Sequence, residues 1–188
     1  MILPIVAYGD PVLRKVCEDI DKDYEGLSEL IENMRKTMYA AKGVGLAAPQ
    51  IGKAIRLFII DSEPMMDEPD EGTGIQEVFI NAEMLDETGR SFSFEEGCLS
   101  IPGIREEVTR KETIRIRYYN ENWELKEEEF GGMTARVIQH EYDHIEGILF
   151  TDYVKPLRKQ FLKRKLEKIR RGEVSSEYRM RFPKKVKR

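Results

Sequence analysis

His140-Glu141-Tyr142-Asp143-His144 holds both histidines of the chain within five residues. On a helix, residues four apart share a face, so this spacing brings both imidazoles to one divalent ion and leaves Glu141 leaning over the same position. The alternative is a charged, solvated helix that carries two histidines without a ligand. A hydrolytic metal site takes three protein ligands and keeps one position open for water. With no third histidine in the chain, the last donor has to be a carboxylate or a thiolate.

Glu95-Glu96-Gly97-Cys98-Leu99-Ser100 offers such a thiolate, with Cys98 set between Gly97 and Pro102 in a context that suits a tight backbone. Cys98 reads either as that ligand or as an inert buried thiol. The other cysteine, Cys17, has no comparable setting and reads as core or surface filler. The apolar opening Met1–Ala7 is interrupted by Pro4 and ended by Tyr8-Gly9-Asp10-Pro11, so it is neither a signal peptide nor a membrane span. A cytoplasmic protein with free thiols, away from membranes, is the expectation.

At 188 residues, 40% hydrophobic and 35% charged, the chain suits one well-packed globular domain. Its net charge of -4 hides an asymmetry: residues 155–188 hold 15 basic and three acidic residues, leaving 16 basic and 32 acidic for the rest. The basic segment is drawn to polyanions such as RNA, and the acidic body repels them.

Working outward from the motif, Glu25–Lys42 repeats apolar residues at helical spacing (Leu27, Leu30, Ile31, Met34, Met38, Tyr39), and Gly43 stands where a stop belongs. Ile55–Ile60, Glu77–Ile80, Glu107–Lys111, Thr113–Tyr119 and Trp123–Glu127 read as strands, with the acidic stretch Ser62–Gly74 as a surface loop. The histidine-bearing helix runs from about Thr134 to Glu146 with Gly147 as its cap, and a C-terminal helix carries Leu157, Phe161, Leu162, Leu166 and Ile169 up to Gly172. The fold expected is α+β, with antiparallel β-sheets packed around a central H-E-x-x-H helix, an N-terminal amphipathic helix and a C-terminal helix. Residues 1–154 form the catalytic domain, and 155–188 are its basic helix and tail.

Gly43-Val44-Gly45-Leu46-Ala47-Ala48-Pro49-Gln50 is Gly-rich but lacks the Lys-Ser/Thr ending of a phosphate loop. It reads as a helix cap running into a turn, or as a device that puts the Gln50 amide where an oxyanion develops.

Three segments in order, G-x-G-L-A-A-x-Q at 43–50, E-G-C-L-S at 96–100 and Q-H-E-x-D-H at 139–144, resemble the signatures of peptide deformylases. The resemblance runs from Leu3 to Phe150; Ile145 replaces the more usual Leu. It implies one divalent metal held by Cys98, His140 and His144, natively Fe²⁺, with Zn²⁺, Ni²⁺ or Co²⁺ as substitutes; ligand softness alone does not choose iron over zinc. It implies hydrolytic removal of the N-formyl group from the N-terminal methionine of newly synthesised proteins, releasing formate. Metal-bound hydroxide attacks, and Glu141 is general base and then general acid. The Gln50 amide and the Leu99 backbone N–H would hold the oxyanion.

On the substrate side the resemblance implies Gly45, through its backbone, with Val44, Glu96, Arg105 and Val137, and Met133 as a further wall of the methionine slot. Ordinary core packing is the alternative for Val44, Val137 and Met133, and a solvated charge cluster for Arg105. Glu96 would brace Gln50, and Asp143 would pair with Arg110 or form only a surface ion pair. N-formylmethionyl nascent peptides are the partners. The C-terminal helix resembles the one by which some members meet the ribosome, or is a solubilising helix; beyond Gly172 the chain reads as a tail that short substrates do not need. A zinc endopeptidase would need a ligand after His144, where only glutamates stand, and would leave Cys98 unexplained. An RNA-binding protein with a relic site would bind little metal.

Cys98→Ser is expected to lose bound metal and activity while Cys17→Ser keeps both, as read by elemental analysis and a deformylation assay. Equal losses in the two variants would refute the ligand assignment.

Overall fold

A computed structural model describes residues 1–66 and 74–183. Most of the acidic stretch and the last basic residues lie outside the described residues. The elements follow the chain as β1 (Ile5–Val6), α1 (Leu27–Ala40), β2 (Gly45–Ala47), β3 (Leu57–Asp61), β4 (Gln76–Cys98), β5 (Ile101–Tyr119), β6 (Leu125–Gly131), α2 (Gly132–Ile145), α3 (Pro156–Arg170) and β7 (Met180–Arg181). β2 to β6 form one antiparallel sheet in sequence order, and β1 pairs in parallel with β7.

Strand β3 explains how the layers stack. All five of its residues are buried, because alternate side chains enter different cores. Leu57 and Ile59 pack with Leu30, Ile31, Met34 and Met38 of α1, whereas Phe58 and Ile60 pack with Ala135, Val137 and Ile138 of α2. That is why Leu57–Ile60 is a continuous apolar run rather than an alternation. The α2 side is consolidated by Phe79, stacked on Phe58 at 4.6 Å between centroids and against Tyr118 at 4.2 Å. Cys17 is buried in this core. A third cluster joins Leu162 and Ile169 of α3 to Ile101, Ile104, Leu149 and Phe150.

The mixed helix and antiparallel-sheet fold is found, with differences in detail. β4 and β5 are single strands of 23 and 19 residues, where the alternation marked shorter pieces. Their ladder shifts register at four places, between Ile80 and Glu83, Met84 and Asp86, Thr88 and Ser91, and Gly97 and Cys98, which breaks the period-2 pattern. Gly43 is not the residue that turns α1 off. Lys42 takes the left-handed conformation (φ 56°), and the Gly43 N–H then closes back on the Met38 carbonyl at 2.9 Å. Gly147 does end α2 (φ 71°), where a Cβ would lie 2.8 Å from the Arg14 backbone. Beyond Gly172 the chain is not a free tail: residues 179–181 return to β1, with the Ile5 N–H on the Arg179 carbonyl at 2.9 Å and the Ala7 N–H on the Arg181 carbonyl at 2.8 Å.

Candidate metal centre

The turn from β4 to β5 and the helix α2 meet at one point. Cys98 and Ile101 face each other across the strand pair, so Leu99 and Ser100 are the two residues of a tight turn. On α2, His140 and His144 lie one turn apart, and the donor atoms of Cys98, His140 and His144 all fall within 4.8 Å of one another. The Cys98 Sγ stands 3.3 Å from the His144 Nε2. The residues expected to hold a metal are therefore brought together, and Cys17 lies elsewhere.

The surroundings suit an ion. The His140 Nδ1 is 2.9 Å from a Glu96 oxygen, which fixes the ring and leaves the Nε2 to face the sulfur side. Burial holds the His144 imidazole well below the usual histidine range, so it is neutral and able to ligate. A cysteine sulfur with two imidazole nitrogens is a borderline-soft donor set, suited to iron, zinc, nickel or cobalt and unsuited to magnesium or calcium. Glu141 is 4% exposed, and its Oε2 has no hydrogen-bond partner among the described residues. Burial pushes this carboxyl up to about 7.

Behind the ligands lies a buried charge network. Glu96 accepts from the Arg110 Nε at 2.6 Å and the Arg136 Nη1 at 2.9 Å, and Arg110 reaches Asp143 at 2.8 Å. The Tyr153 hydroxyl donates to the other Asp143 oxygen at 2.9 Å, and its ring lies 4.8 Å from the Arg110 guanidinium. Two carboxylates and two guanidinium groups balance in charge, while hydrogen bonds to Cys98 and Glu96 outweigh burial and hold the His140 imidazole well above the usual histidine range. Burial alone would raise the Glu96 carboxyl, but its bonds from His140 and Arg110 outweigh that and hold it well below the ordinary range.

Two expectations are corrected here. Glu96 does not brace Gln50, because its oxygens are taken by Arg110, Arg136 and His140. Gln50 is instead pinned by the Ala47 N–H on its Oε1 at 2.8 Å, and its Nε2 points to the Cys98 Sγ at 3.5 Å and the Ser100 Oγ at 3.4 Å. Met133 is not among the residues lining the cleft over the site, a space of about 800 Å³ walled by Val44, Met65, Phe94, Ile104 and Val137 with Arg105 at its edge. Arg105 is largely exposed, and among the described residues its side chain makes a 3.7 Å ion pair with Glu95. Arg136, Tyr153, Met65 and Phe94 also belong to the site and its surroundings, without a motif in the sequence to mark them. Arg136 was within reach of the helical spacing, since it precedes His140 by four residues as His140 precedes His144.

The chain is similar to known proteins over nearly its whole length. Residues 2–160 match the polypeptide deformylase family. The chain is 58% identical to a peptide deformylase of Flavobacterium psychrophilum, over 98% of this chain and all of that one. The chain belongs to the peptide deformylase family. Among solved structures, the Legionella pneumophila peptide deformylase superposes with a TM-score of 0.79 at 38% identity, covering 92% of this chain and 98% of that one. The Acinetobacter baumannii peptide deformylase, solved with Met-Ala-Ser bound, gives 0.76 at 34% identity over 82% of this chain and 99% of that one. These enzymes are metal-dependent hydrolases, and the reaction is removal of the formyl group from the N-terminal methionine of nascent proteins.

Gly45 carries a constraint of its own. A Cβ there would sit 2.4 Å from the Glu141 Oε1 and 2.7 Å from its carboxyl carbon, so only glycine lets the carboxylate lie against β2. Gly45→Ala is expected to keep its metal and lose about 100-fold in activity, because it displaces one catalytic group by roughly an ångström. Full activity in this variant, in parallel metal and rate measurements, would contradict that packing.

Proposed function

We propose that deformylation runs on a single ion held by the Cys98 sulfur and the imidazoles of His140 and His144, with ferrous iron as the native metal and zinc, nickel or cobalt as substitutes. The observation that carries this reading is the convergence of those three donors beside a Glu141 oxygen that has no hydrogen-bond partner among the described residues. When bound, the ion supplies Lewis acidity, polarising the formyl carbonyl and acidifying a water beside it.

Glu141 takes the proton from the attacking water and delivers it to the departing nitrogen, so that formate and a free amine separate. The Gln50 Nε2 and the Leu99 N–H receive the oxyanion. Gln50 suits that role because its carbonyl end is anchored on Ala47 while its amide end makes only long contacts that a stronger acceptor can replace. The substrate backbone lies along Gly45, on the strand at the edge of the sheet, and adds to it as an extended peptide. Val44 and Val137 enclose the methionine side chain, with Met65 as a pliable third wall. Glu96 acts on the substrate only through His140, and Arg105 meets the peptide beyond its first residue.

In this reading residues 1–154 are the catalytic body, with the motif-bearing helix at its centre, and 155–188 are its basic extension. The enzyme works in the cytoplasm. Its extension docks on the ribosome, where nascent chains emerge, through the excess of basic residues together with Leu157 and Phe161, which are 69% and 67% exposed on α3.

With formyl-Met-Ala-Ser as substrate, Glu141→Gln is expected to retain stoichiometric metal and release formate about 100- to 10,000-fold more slowly. Formate release at the unaltered rate would sink the assignment, and internal cleavage without formate would mark a peptidase.

A further inference from the structure

The two-residue turn Leu99–Ser100, which follows Cys98, is held from outside by segments near both ends of the chain. Its ladder shifts register between Gly97 and Cys98, so the strands alone do not define its geometry. The Ser100 carbonyl accepts the Tyr8 N–H at 2.8 Å, and the Leu99 carbonyl accepts the Tyr178 hydroxyl at 2.8 Å. Tyr8 follows β1 and Tyr178 precedes β7, and these two strands pair with each other, Ile5 opposite Met180 and Val6 opposite Arg181. The Tyr178 ring packs against the core cluster under α1, so the hydroxyl is delivered from a seated side chain. Residues 175–178 also line the cleft.

We infer that Tyr178 is a positioning residue of the reaction: its hydroxyl holds the Leu99 carbonyl and so fixes the turn that presents the Leu99 N–H and the Cys98 sulfur. Without that donor the carbonyl turns to solvent, and the backbone on either side of Leu99 gains freedom. Such freedom weakens an oxyanion donor, which acts mainly in the transition state, more than it weakens substrate binding. The Glu177–Lys42 ion pair across the cleft mouth is exposed on both sides and contributes little to the same restraint. The inference rests on the reading of Leu99 and Gln50 as oxyanion donors, and it reverses the expectation that residues beyond Gly172 are dispensable for short substrates.

Steady-state kinetics of the metal-loaded, full-length protein on formyl-Met-Ala-Ser test it, with Tyr178→Phe beside Gln50→Ala. The phenylalanine keeps the ring packing and removes one neutral hydrogen bond, so kcat is expected to fall about 2- to 10-fold with KM, metal content and melting temperature little changed. An unchanged kcat in Tyr178→Phe, beside a strongly impaired Gln50→Ala, overturns the role of Tyr178 alone. A fall in kcat that comes with metal loss or an equal rise in KM also overturns it, because the hydroxyl would then serve general structure. An unimpaired Gln50→Ala overturns the oxyanion reading itself.

Discussion

The bond between Glu96 and His140, and the guanidinium groups that make it tolerable, are what the rest of the site depends on. A carboxylate this deeply buried is expensive unless its oxygens are satisfied. Arg110 and Arg136 satisfy Glu96, and Asp143 in turn satisfies Arg110. A balanced cluster of this kind need not add stability over a hydrophobic core of equal volume, but removing one member strands a buried charge at about 3–5 kcal/mol. Its value here lies in orientation. The imidazole of His140 is clamped on one nitrogen so that the other faces the Cys98 side, and α2 is tied through Arg136 to the Phe92 and Val108 carbonyls of β4 and β5. The same strand pair ends in the turn that carries the sulfur, so helix and turn cannot drift apart without breaking buried hydrogen bonds.

The topology places the remaining groups economically. β2 pairs with β3 and stands at the edge of the sheet, and Gly45 lets the Glu141 carboxylate lie directly against it. Glu141 thus sits between a backbone edge that can take a peptide and the convergent ligand set. Its burial lifts its carboxyl to about 7, which suits a group that must both accept and release a proton.

Much of the arrangement was legible in the sequence because it rests on local spacing. His140 and His144 declare a shared helix face, the apolar repeat of 27–38 declares α1, and the apolar run 55–60 declares a strand. Features that depend on distant partners were less visible. Glu96 looked like a support for Gln50 because the two are neighbours of the same site, yet charge complementarity sends it to Arg110 and Arg136, and only three-dimensional proximity decides between such partners. The bulges in β4 and β5 hide long strands from a period-2 pattern. The short β7 and the Tyr178 contact carry no periodic signal, since their pairing with β1 joins opposite ends of the chain.

The central claim is that one sulfur and two imidazole nitrogens share a single ion. X-ray absorption at the metal edge of protein purified without oxygen tests it most directly. The account predicts one sulfur scatterer at about 2.3 Å and nitrogen scatterers near ~2.0–2.1 Å, with room left for solvent oxygen, if zinc is the ion loaded. A coordination shell without sulfur, made only of nitrogen and oxygen, would contradict it.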